Sequence, residues 1–433
     1  MIYWAPLLHF YQPPLQLAHV LRKVVNESYR PLMEVFSQHP YARVTVNING
    51  VLTEMLAEGG YHDVIQAMNE LAEKGQLEFT GSAKYHPILP LMPVDEMRRQ
   101  IRRNAQTNRH FFGDVYRPRG FFPPELAYGP SLLQPVLESR HEWLIVSGIA
   151  CPLAWPINAI HEAASNGDRL PVFFRDDILS NRISFHDIDG DGFAQHLREM
   201  GSGEGDAYVV TAMDAETFGH HIRHWEKLFL VEVYESLQPA ALPEVALAQS
   251  RVLAESHRGL LQMPLRQEPA EVAIVTISEL LEHFPRGQAL EPRPSSWSTT
   301  SEDLAAGNPY PLWKAPNNAL HRLQWEHIDI AVTLVRQAEQ LADNEASRQH
   351  TRIARALLDR ALHSCQFWWA SRRPMWDTNM VSRGLAQQRE AVFNAFRSIS
   401  LSGAEESVKR DAYYRVVAAR DLGNKIHDRL FWD

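Results

Sequence analysis

The chain breaks into short apolar runs of strand length, each followed by a longer stretch that is helical or loop-rich. Ile2 to Phe10 is the first run, and Pro13-Pro14 ends it. Arg43 to Asn49, Leu77 to Ser82, the run Gly120-Phe121-Phe122, Trp143 to Gly148, Pro171 to Asp177 and Tyr208 to Met213 follow. Seven strands spaced in this way predict a parallel α/β barrel or an open doubly wound sheet. Val272 to Ile277 is an eighth short candidate, but it runs straight into a helical segment and is not counted in the barrel. The 433 residues exceed one ordinary core, so a large barrel plus a smaller domain is the natural division.

Two of the strand ends carry acids. In Gly120-Phe121-Phe122-Pro123-Pro124-Glu125, proline cannot donate to a strand ladder, so the run stops at Pro123 and leaves Glu125 on a stiff turn. Tyr208 to Met213 ends in Asp214-Ala215-Glu216-Thr217-Phe218-Gly219-His220. Strand ends of this kind are where barrels and open α/β sheets place their chemistry. Two carboxylates so placed suit cleavage of a glycosidic bond, one attacking and one donating a proton. Each alone is equally a helix cap or an ion-pair partner.

Other features carry a bland interpretation beside the functional one. His9 and Gln12 follow the first strand as a polar cluster, with His9 otherwise satisfied by backbone. His86 lies in an apolar loop and either meets a substrate hydroxyl or caps a helix. Arg98, Arg99, Arg102 and Arg103 crowd one helix like a nucleic-acid patch. A charge run on a helix is usually a solvated face, and a net charge of −9 argues against nucleic acid and anionic membrane as partners. Asp187, Asp189 and Asp191 match half of a calcium loop, but Arg198 stands where its glutamate belongs, so an acidic turn near a helix start is expected, with a weak structural cation there as the open alternative. His220 and His224 have the i, i+4 spacing of a zinc pair without its partner glutamate. No metal and no cofactor is expected. Cys151 and Cys365 are too few for a disulfide framework, and no window is long and apolar enough to span a bilayer. The N-terminus lacks the basic region of a signal peptide. These features predict a cytoplasmic location.

The motifs, in order, resemble those of glycoside hydrolase family 57, the α-glucan-acting enzymes. His9-Phe10-Tyr11-Gln12-Pro13 resembles the first motif and Gly81 to Pro90, with His86, the second. Gly120 to Glu125 resembles the third and Met213 to His220 the fourth. Ser364-Cys365-Gln366-Phe367-Trp368-Trp369 stands where the fifth is expected. Phe174 to Ser180 and Ser295-Ser296-Trp297-Ser298 are also similar to the family. Three positions depart from the pattern: Tyr11 for a histidine, Phe122 for a tryptophan and Gln366 for an aspartate.

The resemblance implies an incomplete seven-stranded (β/α)7 barrel over residues 1–285. It is followed by a linker that reaches the site over 286–317 and a helical C-terminal bundle over 318–433. It implies Glu125 as nucleophile and Asp214 as general acid/base in retaining hydrolysis or transfer on an α-1,4-glucan. His9, Gln12, His86, Glu216, His220, Trp297, Trp368 and Trp369 are then candidates to bind the sugar, Trp369 being equally a core residue. Two rivals stay open: a metal-dependent polysaccharide deacetylase and a non-catalytic glucan-binding protein.

Overall fold

The computed structural model describes residues 1–153, 158–201, 205–238 and 271–432. Residues 239–270, assigned above to the barrel, lie outside the described residues. Among the described residues there are ten strands. They are β1 (Ile2–Phe10), β2 (Val44–Ile48), β3 (Leu77–Phe79), β4 (Gly120–Phe121), β5 (Trp143–Ser147), β6 (Ile160–Ser165), β7 (Asp168–Arg175), β8 (Ala207–Asp214), β9 (Val272–Ile274) and β10 (Arg286–Leu290). One sheet runs β3-β2-β1-β8, all parallel, and the other runs β10-β6-β7-β5-β4. The sheets meet at both ends. Gly81 bridges Phe121 in parallel, and the Asp176 amide donates to the Val210 carbonyl at 2.8 Å. This is the α/β barrel architecture, with helices packed outside.

The strands read as continuous apolar runs because both of their faces are covered. Side chains alternate along a strand with period two, and the core follows that period. Ala5 and Leu7 of β1, with Tyr208, Val210 and Ala212 of β8, face an inner cluster that also holds Phe122, Trp143, Ile145 and Phe173. Trp4, Leu8 and Phe10, with Val209 and Met213, face outward to the helices that follow β1, β2 and β8. On β5 the alternate residues Leu144 and Val146 face a third cluster, shared with the C-terminal helices.

Three elements differ from the sequence expectation. Val272–Ile274 pairs with β1 in parallel and borders its first half, whereas β2 borders its second half. The strand left out of the barrel is therefore part of the first sheet. β6 pairs antiparallel with β7 through Asn166 and Gly167, both at positive φ, the geometry of a two-residue hairpin turn. The segment read as linker contains β10, on the edge of the second sheet, and a short helix, Ser301–Ala305.

Beyond it, the helices Ala319–Leu341, Glu345–Ala361, Thr378–Leu401 and Glu406–Trp432 pack on one another. They are tied to the barrel by charge. Arg355 reaches Glu96 on the barrel helix Val94–Phe112 at 2.8 Å and Glu339 at 2.6 Å, and Arg99 forks onto Asp359 at 2.7 Å. Among the described residues no helix is long and apolar enough to cross a membrane.

Candidate active site

Glu125 lies in the single turn that follows β4, and its backbone is left-handed, with φ 61° and ψ 18°. For a residue with a side chain this costs energy and persists only where the surroundings enforce it. Pro123 and Pro124 stiffen the approach, and the Trp297 amide donates to the Glu125 carbonyl at 3.1 Å. Trp297 is held in turn because Ser295 forms a two-way backbone bridge with Tyr128. His86, also at positive φ, is pinned by the Ser364 amide, which donates to its carbonyl at 2.9 Å.

The Glu125 carboxylate accepts from two directions. The indole N–H of Trp297 donates to Oε2 at 3.0 Å, and the Ser364 hydroxyl donates to Oε1 at 3.1 Å. Ser364 Oγ lies 2.9 Å from His86 Nδ1. With its own proton committed to Glu125, Ser364 accepts there, so His86 carries its proton on Nδ1.

A second row crosses the first sheet. Asp214 ends β8 in register with His9 of β1, which is in register with Asn47 of β2. His9 Nδ1 contacts Asn47 Oδ1 at 2.7 Å, and the Asn47 amide nitrogen donates to Thr80 Oγ1 at 3.0 Å. That orientation of Asn47 places the His9 proton on Nδ1. The Nε2 atoms of both histidines are thus acceptors, buried and without a partner. The rings stack: Tyr11 on His86 with centroids 3.9 Å apart, His9 on His86 at 4.9 Å and Phe122 on His9 at 4.8 Å. Two of the departures from the family pattern, Tyr11 and Phe122, therefore form the walls of this stack.

Burial sets the charges. It pushes the Glu125 carboxyl up to about 8, helped by the charge of Asp214. It pushes Asp214 up to about 6 against the lowering influence of Arg175. It holds His9 neutral, down to about 4, and lowers His86 well below the usual range. Glu216 is also pushed up, to about 8, by burial and by Asp214. Gln12 donates to Glu216 Oε1 at 2.9 Å, and the Tyr29 hydroxyl bonds to the same oxygen. The charge of Asp214 acts on both Glu125 and Glu216, so these titrations belong to the group rather than to one residue.

The sequence candidates divide accordingly. Glu125, Asp214, His9, His86 and Trp297 come together. Gln12 and Glu216 bond to each other, and Glu216 acts as an anchor for Gln12 and Tyr29. His220 Nδ1 lies 2.7 Å from Glu27, and Gly219 at φ 103° turns the chain there. The stretch from Phe218 to His224 is a bridged turn, so His220 and His224 do not share a helix face. Trp369 is buried in a hydrophobic cluster with Leu320, Val381 and Leu385, and Trp368 packs partly buried beside it. Gln366 is buried among Ala361, His363 and Gln388, to which it hydrogen-bonds. Asp189 caps the helix Gly190–Met200, accepting from the Gly192 amide at 2.8 Å. Asp191 lies in the first turn of the same helix, so the stretch is the acidic turn near a helix start expected above. Among the described residues no group of three or more metal-ligating side chains occurs. Sequence reasoning missed Ser364, Tyr29 and Arg175 as site residues. Arg175 is buried at the end of β7, clamped on the Ala212 carbonyl at 2.7 Å and on Asp177 at 2.8 Å.

Fold and site together define an α/β barrel protein with a buried carboxylate pair at its strand ends. Residues 5–264 match the model of glycosyl hydrolase family 57, and the chain belongs to that family. It is 24% identical over 270 residues to an α-amylase of Pyrococcus abyssi, a stretch covering 60% of this chain and 40% of that protein. The match to a 4-α-glucanotransferase of Thermococcus litoralis has the same identity and extent. The chain thus matches less than half the length of these curated relatives. Among solved structures, a family 57 branching enzyme of Pyrococcus horikoshii superimposes with TM-score 0.66 at 15% identity, covering 98% of this chain and 94% of that one. This likeness extends the shared fold through the C-terminal helices.

Proposed function

We propose that the chain is a retaining glycosidase or transglycosidase of α-1,4-linked glucans, with Glu125 as nucleophile and Asp214 as general acid/base. The observation that carries this is the buried pair Glu125 and Asp214 at two strand ends, near enough that the charge of Asp214 acts on Glu125. α-Amylases and 4-α-glucanotransferases among its relatives favour that substrate class.

Glu125 attacks the anomeric carbon while Asp214 protonates the departing glycosidic oxygen, so the C–O bond breaks as the glycosyl–carboxylate ester forms. Asp214, now a carboxylate, takes a proton from water or from another sugar hydroxyl, which displaces Glu125. The donors from Trp297 and Ser364 favour the ionised Glu125 that attack requires. Burial raises the pKa of both carboxyls, and the reaction uses the form in which Asp214 carries the proton and Glu125 is ionised. The unpartnered Nε2 atoms of His9 and His86 accept from hydroxyls of the sugar at the cleavage point. Retention requires the two carboxyls about 5–5.5 Å apart.

We further infer that β1, β2, β3, β4, β5, β7 and β8 form an incomplete seven-stranded barrel. The Gly81–Phe121 bridge and the Asp176–Val210 hydrogen bond support that closure. The domains fall at 1–285, 286–317 and 318–433, with the middle segment carrying Trp297 to Glu125. Two free cysteines, Cys151 and Cys365, support a cytoplasmic location.

The test is a product profile on maltoheptaose. Shorter products alone make the protein a hydrolase, and shorter plus longer products make it a transferase. An untouched oligosaccharide overturns the α-1,4 assignment.

A further inference from the structure

The arginine-rich helix Val94–Phe112 is not a uniformly solvated face. Arg99 is engaged by Asp359. Arg98, Arg102, Ala105 and Arg109, spaced four, three and four residues apart, lie along one side of the helix and line a cavity of about 870 Å³. Three more arginines, Arg117, Arg119 and Arg140, enter the same cavity from the loops before β4 and β5. Its carboxylates are Asp114, Glu138 and Glu142. Glu138 is held in a two-pronged pair by Arg98 and Glu142 by Arg119. Among the described residues, Arg102, Arg117 and Arg140 have no side-chain hydrogen bond or ion pair, and Asp114 does not pair with them.

Six guanidinium groups facing three carboxylates around one hollow repel each other, on a chain whose net charge is −9. Like charges are held together at a cost unless an anion completes the set. Ala105, small where a longer side chain would fill the space, keeps the hollow open in the middle of the arginine row. The volume suits a small molecule, and planar guanidinium forks suit phosphate oxygens. The lining includes Gly81 and Ser82, which lead into the His86 loop. The cavity is nonetheless separate from the carboxylate pair, none of whose residues lines it.

We propose that this cavity is a binding site for a small anion carrying two or more phosphate groups, held by Arg102, Arg109, Arg117 and Arg140. The experiment is calorimetric titration of the full chain with inorganic pyrophosphate and with fructose 1,6-bisphosphate, with citrate and a 12-nucleotide single-stranded DNA as comparisons. The variants are Arg102→Ala, Arg140→Ala and the double variant. All these side chains are exposed, and the paired Arg98 and Arg119 stay in place, so the variants keep their fold. One or both phosphate probes should bind at a single site, more tightly than citrate or DNA. Each substitution should weaken that binding about tenfold, as expected for loss of a charged hydrogen bond. Arg140→Lys should recover part of it. Phosphate-probe binding unchanged in the double variant overturns the proposal. So does binding of neither probe, equal binding of citrate, or tighter binding of the DNA. The readout does not involve glucan turnover, so it stands or falls apart from the proposed activity.

Discussion

The indole N–H of Trp297 donates to Oε2 of Glu125 at 3.0 Å, while the backbone amide of the same residue donates to the Glu125 carbonyl at 3.1 Å. One residue of the 286–317 segment thus holds both the orientation of the carboxylate and the left-handed backbone that presents it. Removing only the indole donor, in Trp297→Phe, withdraws an interaction that favours the ionised carboxylate. The apparent pKa of Glu125 should rise, and the alkaline limb of the kcat/KM profile should move to higher pH with turnover reduced.

Ser364 supports the other oxygen and acts through position alone. Ser364→Ala removes the donor to Oε1 and the acceptor of His86 Nδ1. The same upward shift of the alkaline limb is expected, with the larger change in kcat. Ser364→Thr, which keeps the hydroxyl, should restore the limb. A purely structural serine would lower activity at every pH without moving it.

The carboxylates themselves make the sharper prediction. Asp214→Asn should lower kcat by about 10²–10⁴-fold, the range of a general acid/base, and Glu125→Gln by at least as much. With a glycosyl fluoride as donor, whose leaving group needs little protonation, Asp214→Ala should be partly rescued by azide to give an α-glycosyl azide. Glu125→Ala should give the β-azide, because azide then enters from the face that the nucleophile has left.

Protonation also couples the site to stability. Burial raises the folded-state pKa of Glu125 from 4.5 to about 8, so the folded protein binds a proton there that the unfolded chain has released. The associated stability is fully present below 4.5 and is lost as pH rises through about 8. Glu125→Gln removes that loss. The Tm of the variant relative to the parent should therefore climb between pH 5 and pH 8 and level off above, as scanning calorimetry would record. A difference independent of pH would contradict the raised pKa.

The interface between barrel and C-terminal helices depends on Arg355, which reaches buried Glu96 at 2.8 Å. Among the described residues, Arg355→Met leaves that carboxylate with only Arg336 at 3.3 Å. The loss should be about 3–5 kcal/mol, the usual cost of breaking a buried pair. Adding Glu96→Gln should recover part of it, as urea denaturation would measure.

Much of the site was legible because its chemistry is written locally. Prolines beside Glu125 announce a stopped strand, and acids after an apolar run announce Asp214. What could not be read was convergence. Ser364 lies 239 residues from Glu125, and although it opens the stretch matched to the fifth motif, nothing local marks it as the partner of that carboxylate. Nor does any pattern announce the left-handed backbone of Glu125, which tertiary contacts enforce. The β6–β7 hairpin was legible and missed, since Asn166-Gly167 between two apolar stretches is a strong hairpin signal. β10 was obscured by its exposed, polar edge position in a proline-rich stretch. Trp369 illustrates the opposite limit: sequence alone does not separate a tryptophan that stacks on sugar from one that fills a core.

The central claim is that Glu125 becomes bonded to the sugar. It is tested most directly by incubating the protein with a 5-fluoro-α-maltosyl fluoride and mapping the labelled peptide by mass spectrometry. The account predicts one glycosyl adduct, on the peptide containing Glu125, absent from Glu125→Gln and released faster when maltose is added as acceptor. An adduct on another carboxylate, or active protein that accumulates none while its product emerges with inverted anomeric configuration, would contradict it.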